Sequence, residues 1–238
     1  MPDATCHFHE APDAQTLAQD LARFVAARLQ EGLSQRGRAL LVVSGGSTPI
    51  PFFQSLSQTA LDWPQVSITL ADERWVPPDH ADSNERLVRA HLLRGLASQA
   101  RFVPFKSADA LAGQGVPKLE SALQALPWPA DVVVLGMGAD AHTASLFPGS
   151  AQLAEALDDA RAARCLAISA PPLPNVPVDR VSLSRRALLD TRHVVIHITG
   201  LPKRQLLEQA RLAGPIERMP IRLAWCRANM LCDVFYSN

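Results

Sequence analysis

The chain has 238 residues, 47% of them hydrophobic, and its 23 Lys and Arg residues equal its 23 Asp and Glu residues. This length can bury a sizeable core, and the neutral balance argues against a general nucleic-acid binder or an acidic disordered tail. No apolar run approaches the length of a membrane-spanning helix, so we expect no membrane partner. The N-terminus lacks the features of a secretory signal and the four cysteines lack zinc or disulfide spacing, so we expect reduced thiols and a cytoplasmic protein.

Predicted helices and buried strands alternate along the chain. Leu17, Leu21, Val25 and Leu29 recur at helical spacing, whereas short continuous apolar runs predict strands buried on both faces. The predicted helices are 13–35, 49–57, 84–95, 117–126, 202–213 and 216–224, and the predicted strands are 39–43, 66–70, 132–135, 165–168, 194–198 and 230–235. Such alternation indicates an α/β fold with a mainly parallel sheet. With no evident boundary, we expect one domain over residues 1–238.

The loop after the first of these strands is rich in glycine and hydroxyl groups. Its residues are Ser44, Gly45, Gly46 and Ser47, followed by Thr48 and Pro49. Ligands bind beyond the carboxyl ends of parallel strands, Thr48 suits an N-cap, and Pro49 suits a first helical position. The loop is neither a Walker A loop nor a nucleophile elbow. It predicts a phosphate site, with an ordinary capped turn as the alternative.

Charged residues follow the strand at 66–70. Three charges in a row, at residues 72–74, are costly if buried without partners and cheap on a solvated loop. A functional interpretation gives Arg74 an anion to bind and Asp72 a hydroxyl or a proton. Further along, Asn84 is explained by capping of the next helix, so we assign it no chemical role.

The segment 136–148 after the strand at 132–135 carries the strongest catalytic signal. His142 can act as a general base near neutral pH, and Asp140 can orient it or bind substrate hydroxyls. The alternative is a capping Asp and a polar surface His. Residues 136–141 also match a dinucleotide fingerprint, but only weakly, because the acidic residues expected after the next strand precede it instead.

The strand at 194–198 runs into a second candidate anion site. Lys203, one of only three lysines, follows Gly200 in the first turn of a predicted helix. The helix dipole disfavours a cation there, so an anionic ligand is favoured over a solvated lysine. His193 and His197 bracket this strand, form no metal pattern, and are given no role.

Six segments, taken in order, resemble the motifs of the 6-phosphogluconolactonase family. They are residues 44–49, 72–75, 82–84, 136–148, 180–183 and 199–203, and the resemblance extends from about residue 8 to the C-terminus. It implies a Rossmann-like fold with helices on both faces of the sheet, shared with glucosamine-6-phosphate deaminase. It also implies hydrolysis of 6-phospho-D-glucono-1,5-lactone, a sugar-phosphate substrate, without a metal or organic cofactor.

The resemblance also assigns roles to individual residues. His142 matches the catalytic histidine of the family, and Asp140 matches the acidic residue of its catalytic loop. Residues 45–47 match the phosphate loop, and the candidate contacts to phosphate or lactone are Arg74, Arg180 and Lys203. One position departs from the family pattern, because Ala141 stands where a glycine is usual. If that position has a positive φ, alanine costs about 1 kcal/mol.

These assignments lead to a hypothesis of direct hydrolysis. A lactone is an activated ester that needs no covalent nucleophile, so His142 would activate a water molecule, and Arg74 or loop N–H groups would stabilise the oxyanion. Two alternatives stay open: a glucosamine-6-phosphate deaminase, and a catalytically silent sugar-phosphate sensor. We expect a monomer or weak homodimer.

Overall fold

A computed structural model describes residues 6–172, 178–225 and 231–238, which form ten strands and seven α-helices. The strands are β1 Cys6–Ala11, β2 Ala39–Val43, β3 Val66–Leu70, β4 Asp72–Arg74, β5 Arg101–Val103, β6 Ala130–Leu135, β7 Cys165–Ser169, β8 Asp179–Leu183, β9 Thr191–Thr199 and β10 Leu231–Ser237. The helices are α1 Ala14–Arg36, α2 Ile50–Leu56, α3 Asn84–His91, α4 Ala112–Gln124, α5 Leu153–Leu157, α6 Arg185–Leu188 and α7 Leu201–Arg211.

Seven strands form one sheet in the order β1-β10-β9-β6-β2-β3-β5, and every pairing within it is parallel. All residues of β2, β3 and β6 are buried, so both faces of the central strands are covered. The prediction of an α/β fold with a mainly parallel sheet is confirmed. The carboxyl ends of the central strands meet along one edge, where the loops of interest begin.

Helices α1 and α2 pack together over one face of this sheet. The side chain of Asp13 caps α1 by accepting a hydrogen bond from the Thr16 N–H at 2.8 Å, and the predicted apolar residues form its buried stripe. Phe24 of α1 lies edge-on to His193, and Phe52 of α2 lies edge-on to His197, both on β9. His193 and His197 are four residues apart on β9, and side chains alternate between the faces of a strand. Both therefore point to the face that these helices cover.

The remaining three strands form a second sheet that the sequence did not predict. Its order is β4-β8-β7 and its pairings are antiparallel. The prediction that the strand at 165–168 belongs to the parallel sheet is wrong, because this strand is β7 of the second sheet. The charged segment at 72–74, expected to be a loop, forms β4. A short apolar or charged run fixes neither its partner strand nor its sheet, so local pattern cannot separate these cases.

Several element boundaries also differ from the predictions. Instead of one helix over 216–224, the structure has 3₁₀ turns at Ile216–Arg218 and Pro220–Trp225, consistent with the missing N–H of Pro220. Helix α3 ends at His91, α4 begins five residues earlier than predicted, and β1, β5 and α5 were missed. Cys6, Cys165 and Cys232 are free thiols, and Cys226 lies outside the described residues. No helix among the described residues is long and apolar enough to cross a membrane.

Candidate active site

A cleft of about 380 Å³ opens at the carboxyl edge of the parallel sheet, between its strand-end loops and the small antiparallel sheet. This volume is in the range of small-molecule sites. Nine of the ten predicted site residues line it, namely Ser44, Gly45, Gly46, Ser47, Asp72, Arg74, His142, Arg180 and Lys203. The tenth, Asp140, stands behind His142.

The glycine-rich loop offers free backbone donors to this cleft. The Ser44 N–H continues the sheet ladder by donating to the Val134 carbonyl at 3.1 Å. The chain then turns through Gly46, whose φ is 96°. In residues 6–172, 178–225 and 231–238, the N–H groups of residues 45–48 donate to no other group. Pro49, not Thr48, is the N-cap residue of the seven-residue α2, so the loop itself supplies the donors.

Asn84 supports this loop, a role that the sequence interpretation missed. Ser83 is the capping residue of α3, which leaves the amide of Asn84 free to donate to the Asp72 carbonyl at 2.8 Å. A Cβ at Gly45 would lie 1.8 Å from Asn84 Oδ1, so only glycine fits there. One polar residue suffices to cap a helix, and the sequence has two at positions 83–84. That second polar residue was the available signal for a further role of Asn84.

His142 and Asp140 form a hydrogen-bonded pair at the mouth of the cleft. His142 Nδ1 lies 2.5 Å from Asp140 Oδ1, and the same oxygen accepts the His142 N–H at 3.1 Å. Burial opposes ionisation of Asp140, but its hydrogen bond with His142 and the charge of His142 outweigh burial, so its pKa lies below the ordinary value. The ring of Phe147 packs 4.5 Å from that of His142. Asp140 thus orients the imidazole and leaves Nε2 available to a ligand.

The loop of residues 136–148, named the catalytic loop after its counterpart in the family it resembles, holds this pair in a tight turn. The Gly138 N–H donates to the His142 carbonyl at 2.9 Å, and a Cβ at Gly138 would lie 2.1 Å from the imidazole. Ala141 adopts a φ of 63° and is fully buried. The position therefore keeps the left-handed conformation that glycine favours, and alanine bears a strain of about 1 kcal/mol.

Asp72 joins the catalytic loop to the small sheet. Its Oδ2 accepts the hydroxyl of Ser145 at 2.5 Å, while the carboxylate also lines the cleft. The neighbouring Glu73 is fully buried and accepts the N–H groups of Arg74, Asn84 and Glu85, so it organises backbone. Burial raises the pKa of Glu73 despite these donors.

Two arginines face each other across the small sheet. Arg74 and Arg180 are directly opposed in the β4–β8 ladder, and both line the cleft. Arg180 is only 4% exposed, and burial together with the nearby charge of Arg74 lowers its pKa. Like charges in opposed positions destabilise a sheet. The carboxylates of Asp72, Glu73 and Asp82 oppose this repulsion in part, and an anion beside the two arginines would oppose it further.

Lys203 and His197 complete the cleft from the side of β9. Lys203 Nζ donates to the Met137 carbonyl, and burial lowers its pKa, opposed by the charge of Asp140. His197, which the sequence interpretation left without a role, lies within β9, lines the cleft and is 5% exposed. Among the described residues, no cluster of three or more His, Cys, Asp or Glu side chains could hold a metal ion.

The comparisons with known proteins agree on one family. The sequence profile described as glucosamine-6-phosphate isomerases/6-phosphogluconolactonase matches residues 12–232. A 6-phosphogluconolactonase of Pseudomonas putida is 43% identical, with 94% of each chain covered, and one of Pseudomonas aeruginosa is 46% identical over 89% of this chain and 87% of that one. A crystal structure of a 6-phosphogluconolactonase from Shewanella baltica OS155 is 42% identical, with a TM-score of 0.94 and 100% of both chains covered. Because the match in sequence and in fold spans nearly the whole length, the chain belongs to the glucosamine-6-phosphate isomerase/6-phosphogluconolactonase family.

Proposed function

We propose that the protein hydrolyses 6-phospho-D-glucono-1,5-lactone to 6-phospho-D-gluconate, a step of the oxidative pentose phosphate pathway. The observation that carries this proposal is the His142–Asp140 pair at the mouth of a cleft lined by cationic side chains and free N–H groups. The curated relatives named 6-phosphogluconolactonase support it independently.

His142 acts as the general base in this proposal. With its Nδ1–H donated to Asp140, the Nε2 lone pair takes a proton from water. The resulting hydroxide attacks the C1 carbonyl and forms a tetrahedral oxyanion. Collapse of this intermediate breaks the bond from C1 to the ring oxygen, and His142 returns its proton to that oxygen. Asp140 stabilises the imidazolium formed in between.

The remaining cleft residues hold the substrate. The free N–H groups of residues 45–47 bind the phosphate together with Lys203 and Arg180. Arg74, or an N–H of the loop, stabilises the oxyanion. Asp72 accepts hydrogen bonds from sugar hydroxyls. Anchoring the distal phosphate holds the lactone carbonyl at His142, which favours attack.

We further propose that residues 1–238 act as one domain, as a monomer or weak homodimer in the cytoplasm, without a nucleic-acid partner. The family match over residues 12–232 supports a single unit. Analytical ultracentrifugation over a range of protein concentrations tests the assembly state, and a stable tetramer would contradict it.

A coupled assay tests the activity. Glucose-6-phosphate dehydrogenase generates the lactone in situ, and its disappearance is followed with no enzyme, wild type or His142→Ala. We expect wild type to exceed the spontaneous rate and His142→Ala to lose about 10²- to 10⁴-fold in kcat, the contribution of a general base, with unchanged circular dichroism. Near-normal turnover by the variant would remove His142 from the mechanism. Ammonia release from glucosamine 6-phosphate would indicate a deaminase, and binding of 6-phosphogluconate without hydrolysis would indicate a sensor.

A further inference from the structure

His197 is a buried polar side chain in the cleft that the proposed mechanism leaves unused. It is 5% exposed, and its Nδ1 is buried without a hydrogen-bond partner among the described residues. A buried nitrogen left in this way destabilises the folded protein. If His197 only filled space beside Phe52, an apolar side chain would serve better. The Nδ1 of His193 is buried in the same way among the described residues, so what sets His197 apart is its place in the cleft lining, where its other nitrogen, Nε2, can meet a ligand.

The sheet register places His197 next to the glycine-rich loop. Leu135, the last residue of β6, pairs with Ile196, so extending this register by one residue sets Gly136 beside His197. Val43, the last residue of β2, pairs with Val134, so extending that register by two residues brings Gly45 into the same row. Residues in one row point to the same face. His197 is therefore the only member of this row with a side chain, because the other two are glycines.

This row leaves space for a ligand at Gly136, whereas Asn84 fills the position at Gly45. A Cβ at Gly136 would meet nothing within 4 Å, and residues 44–49, Gly136 and His197 all line the cleft. Two strand spacings separate the Cα atoms of His197 and Gly45, about 10 Å. Phe52 of α2, the helix that follows the loop, packs against the imidazole with ring centroids 6.2 Å apart, so α2 connects the loop to His197. The group bound at the loop is thus the part of the substrate nearest to His197.

The imidazole is neutral and has one proton to donate. Burial lowers the pKa of His197 to about 4, so it carries no charge near neutral pH. A proton on Nδ1 would be a buried donor without an acceptor, the rarer and costlier arrangement. The proton therefore belongs on Nε2, the nitrogen left to face the cleft.

We propose that His197 is a phosphate-recognition residue, whose Nε2–H donates a hydrogen bond to a phosphate oxygen of the substrate held by residues 44–47. This inference rests on the proposed function, which places the phosphate at that loop. It adds a neutral donor at the floor of the cleft to the charged contacts of Lys203 and Arg180.

The test compares His197→Phe, which keeps an aromatic ring but no donor, with His197→Gln, whose side-chain amide retains one. The matched control is His193→Phe, on the same strand and face but outside the cleft lining. The readouts are KM and kcat for the lactone and the Ki of inorganic phosphate as a competitor. We expect His197→Phe to raise KM and Ki about 10-fold, the value of a hydrogen bond to a charged group, with kcat within twofold. His197→Gln should lose less, and His193→Phe should match wild type.

Three results would overturn the proposal. The first is an unchanged KM and Ki in His197→Phe. The second is a raised KM with an unchanged Ki, which would assign His197 to the sugar. The third is an equal loss in His197→Phe and His197→Gln, which would indicate shape alone. Failure of the proposed function is distinguishable, because wild type would then show no hydrolysis, and phosphorus NMR titration with inorganic phosphate would still test His197.

Discussion

The two sides of the cleft present different groups to an anionic ligand. The loop wall, formed by residues 44–49, 136–148 and 199–203 at the edge of the parallel sheet, offers backbone N–H groups and a half-buried lysine, Lys203. The arginine wall, formed by Arg74 and Arg180 of the small sheet, offers two opposed guanidinium groups. Backbone donors cost little in the ligand-free protein, whereas paired cations repel each other. The loop wall thus suits positioning and chemistry, and the arginine wall suits charge.

The largest expected effect tests whether the chemistry belongs to the loop wall. Asp140→Asn keeps the shape of the side chain, but an amide can donate to Nδ1 of His142, which favours the proton on Nε2 and removes the base. We expect kcat to fall by roughly 10²- to 10³-fold, within the range of a general base, and KM to stay within about twofold, as measured in the coupled assay.

The exposed Asp158→Asn, a carboxylate outside the cleft lining, controls for loss of a negative charge. It should behave as wild type. If Asp140→Asn changed KM and left kcat intact, Asp140 would be a binding residue, and the division between the two walls would fail.

The pH dependence of stability tests whether His197, beside the loop wall, stays uncharged in the folded protein. The pKa of His197 falls from an ordinary 6.5 to about 4 on burial. Between these values the unfolded chain binds more protons, so the free energy of unfolding decreases as pH falls from 6.5 to 4. This one group accounts for a loss of about 3 kcal/mol over that range.

Urea unfolding of wild type and His197→Phe at pH 7 and at pH 4 measures this contribution. The variant should lose about 3 kcal/mol less than wild type between the two pH values, because phenylalanine takes up no proton. Equal losses in the two proteins would show that His197 is protonated as readily in the folded chain as in the unfolded one.

Removing one cation from the arginine wall should separate catalysis from stability. Arg74→Gln loses the charge-assisted contact assigned to the oxyanion, so we expect kcat/KM to fall about 10-fold, mainly through kcat. Burial and the charge of Arg74 both lower the pKa of Arg180. The same change relieves this repulsion, so the melting temperature of the ligand-free protein should not fall. Initial-rate kinetics and thermal unfolding give the two readouts.

Arg86→Gln, an exposed arginine on α3 outside the cleft lining, is the matched control. It should change neither kcat/KM nor melting temperature. A lower melting temperature in Arg74→Gln with an unchanged kcat/KM would identify Arg74 as a structural residue, and the arginine wall would lose its assigned purpose.

The two walls also differ in how far sequence predicts them. His142 and the glycine-rich loop follow strands of continuous apolar residues, so their place at the carboxyl edge could be anticipated. The partner strands of the arginine wall could not, because β4 is a run of three charged residues and its pairing with β8 spans more than a hundred positions. His197 was missed because β9 is buried over most of its length, so no alternation marks a polar residue as facing a ligand.

The smallest expected effect concerns Ala141, the residue at which the catalytic loop departs from the family pattern. Its φ of 63° strains alanine, so Ala141→Gly gains about 1 kcal/mol in the folded state. The same change loses a buried methyl group, about 0.8 kcal/mol, and adds freedom to the unfolded chain, about 0.4–1 kcal/mol. These terms nearly cancel, so the free energy of unfolding should change by less than about 1 kcal/mol and kcat by less than twofold.

Ala141→Val provides the contrast, because a β-branched side chain is far less tolerant of positive φ than alanine is. We expect it to lose both stability and kcat, since the turn also holds His142 through the hydrogen bond from the Gly138 N–H to the His142 carbonyl. Urea unfolding and the coupled assay on both variants separate strain from misplacement of the base. A rise in kcat of tenfold or more in Ala141→Gly would mean that alanine holds His142 away from its productive position, and the strain would then belong to the mechanism as well as to the fold.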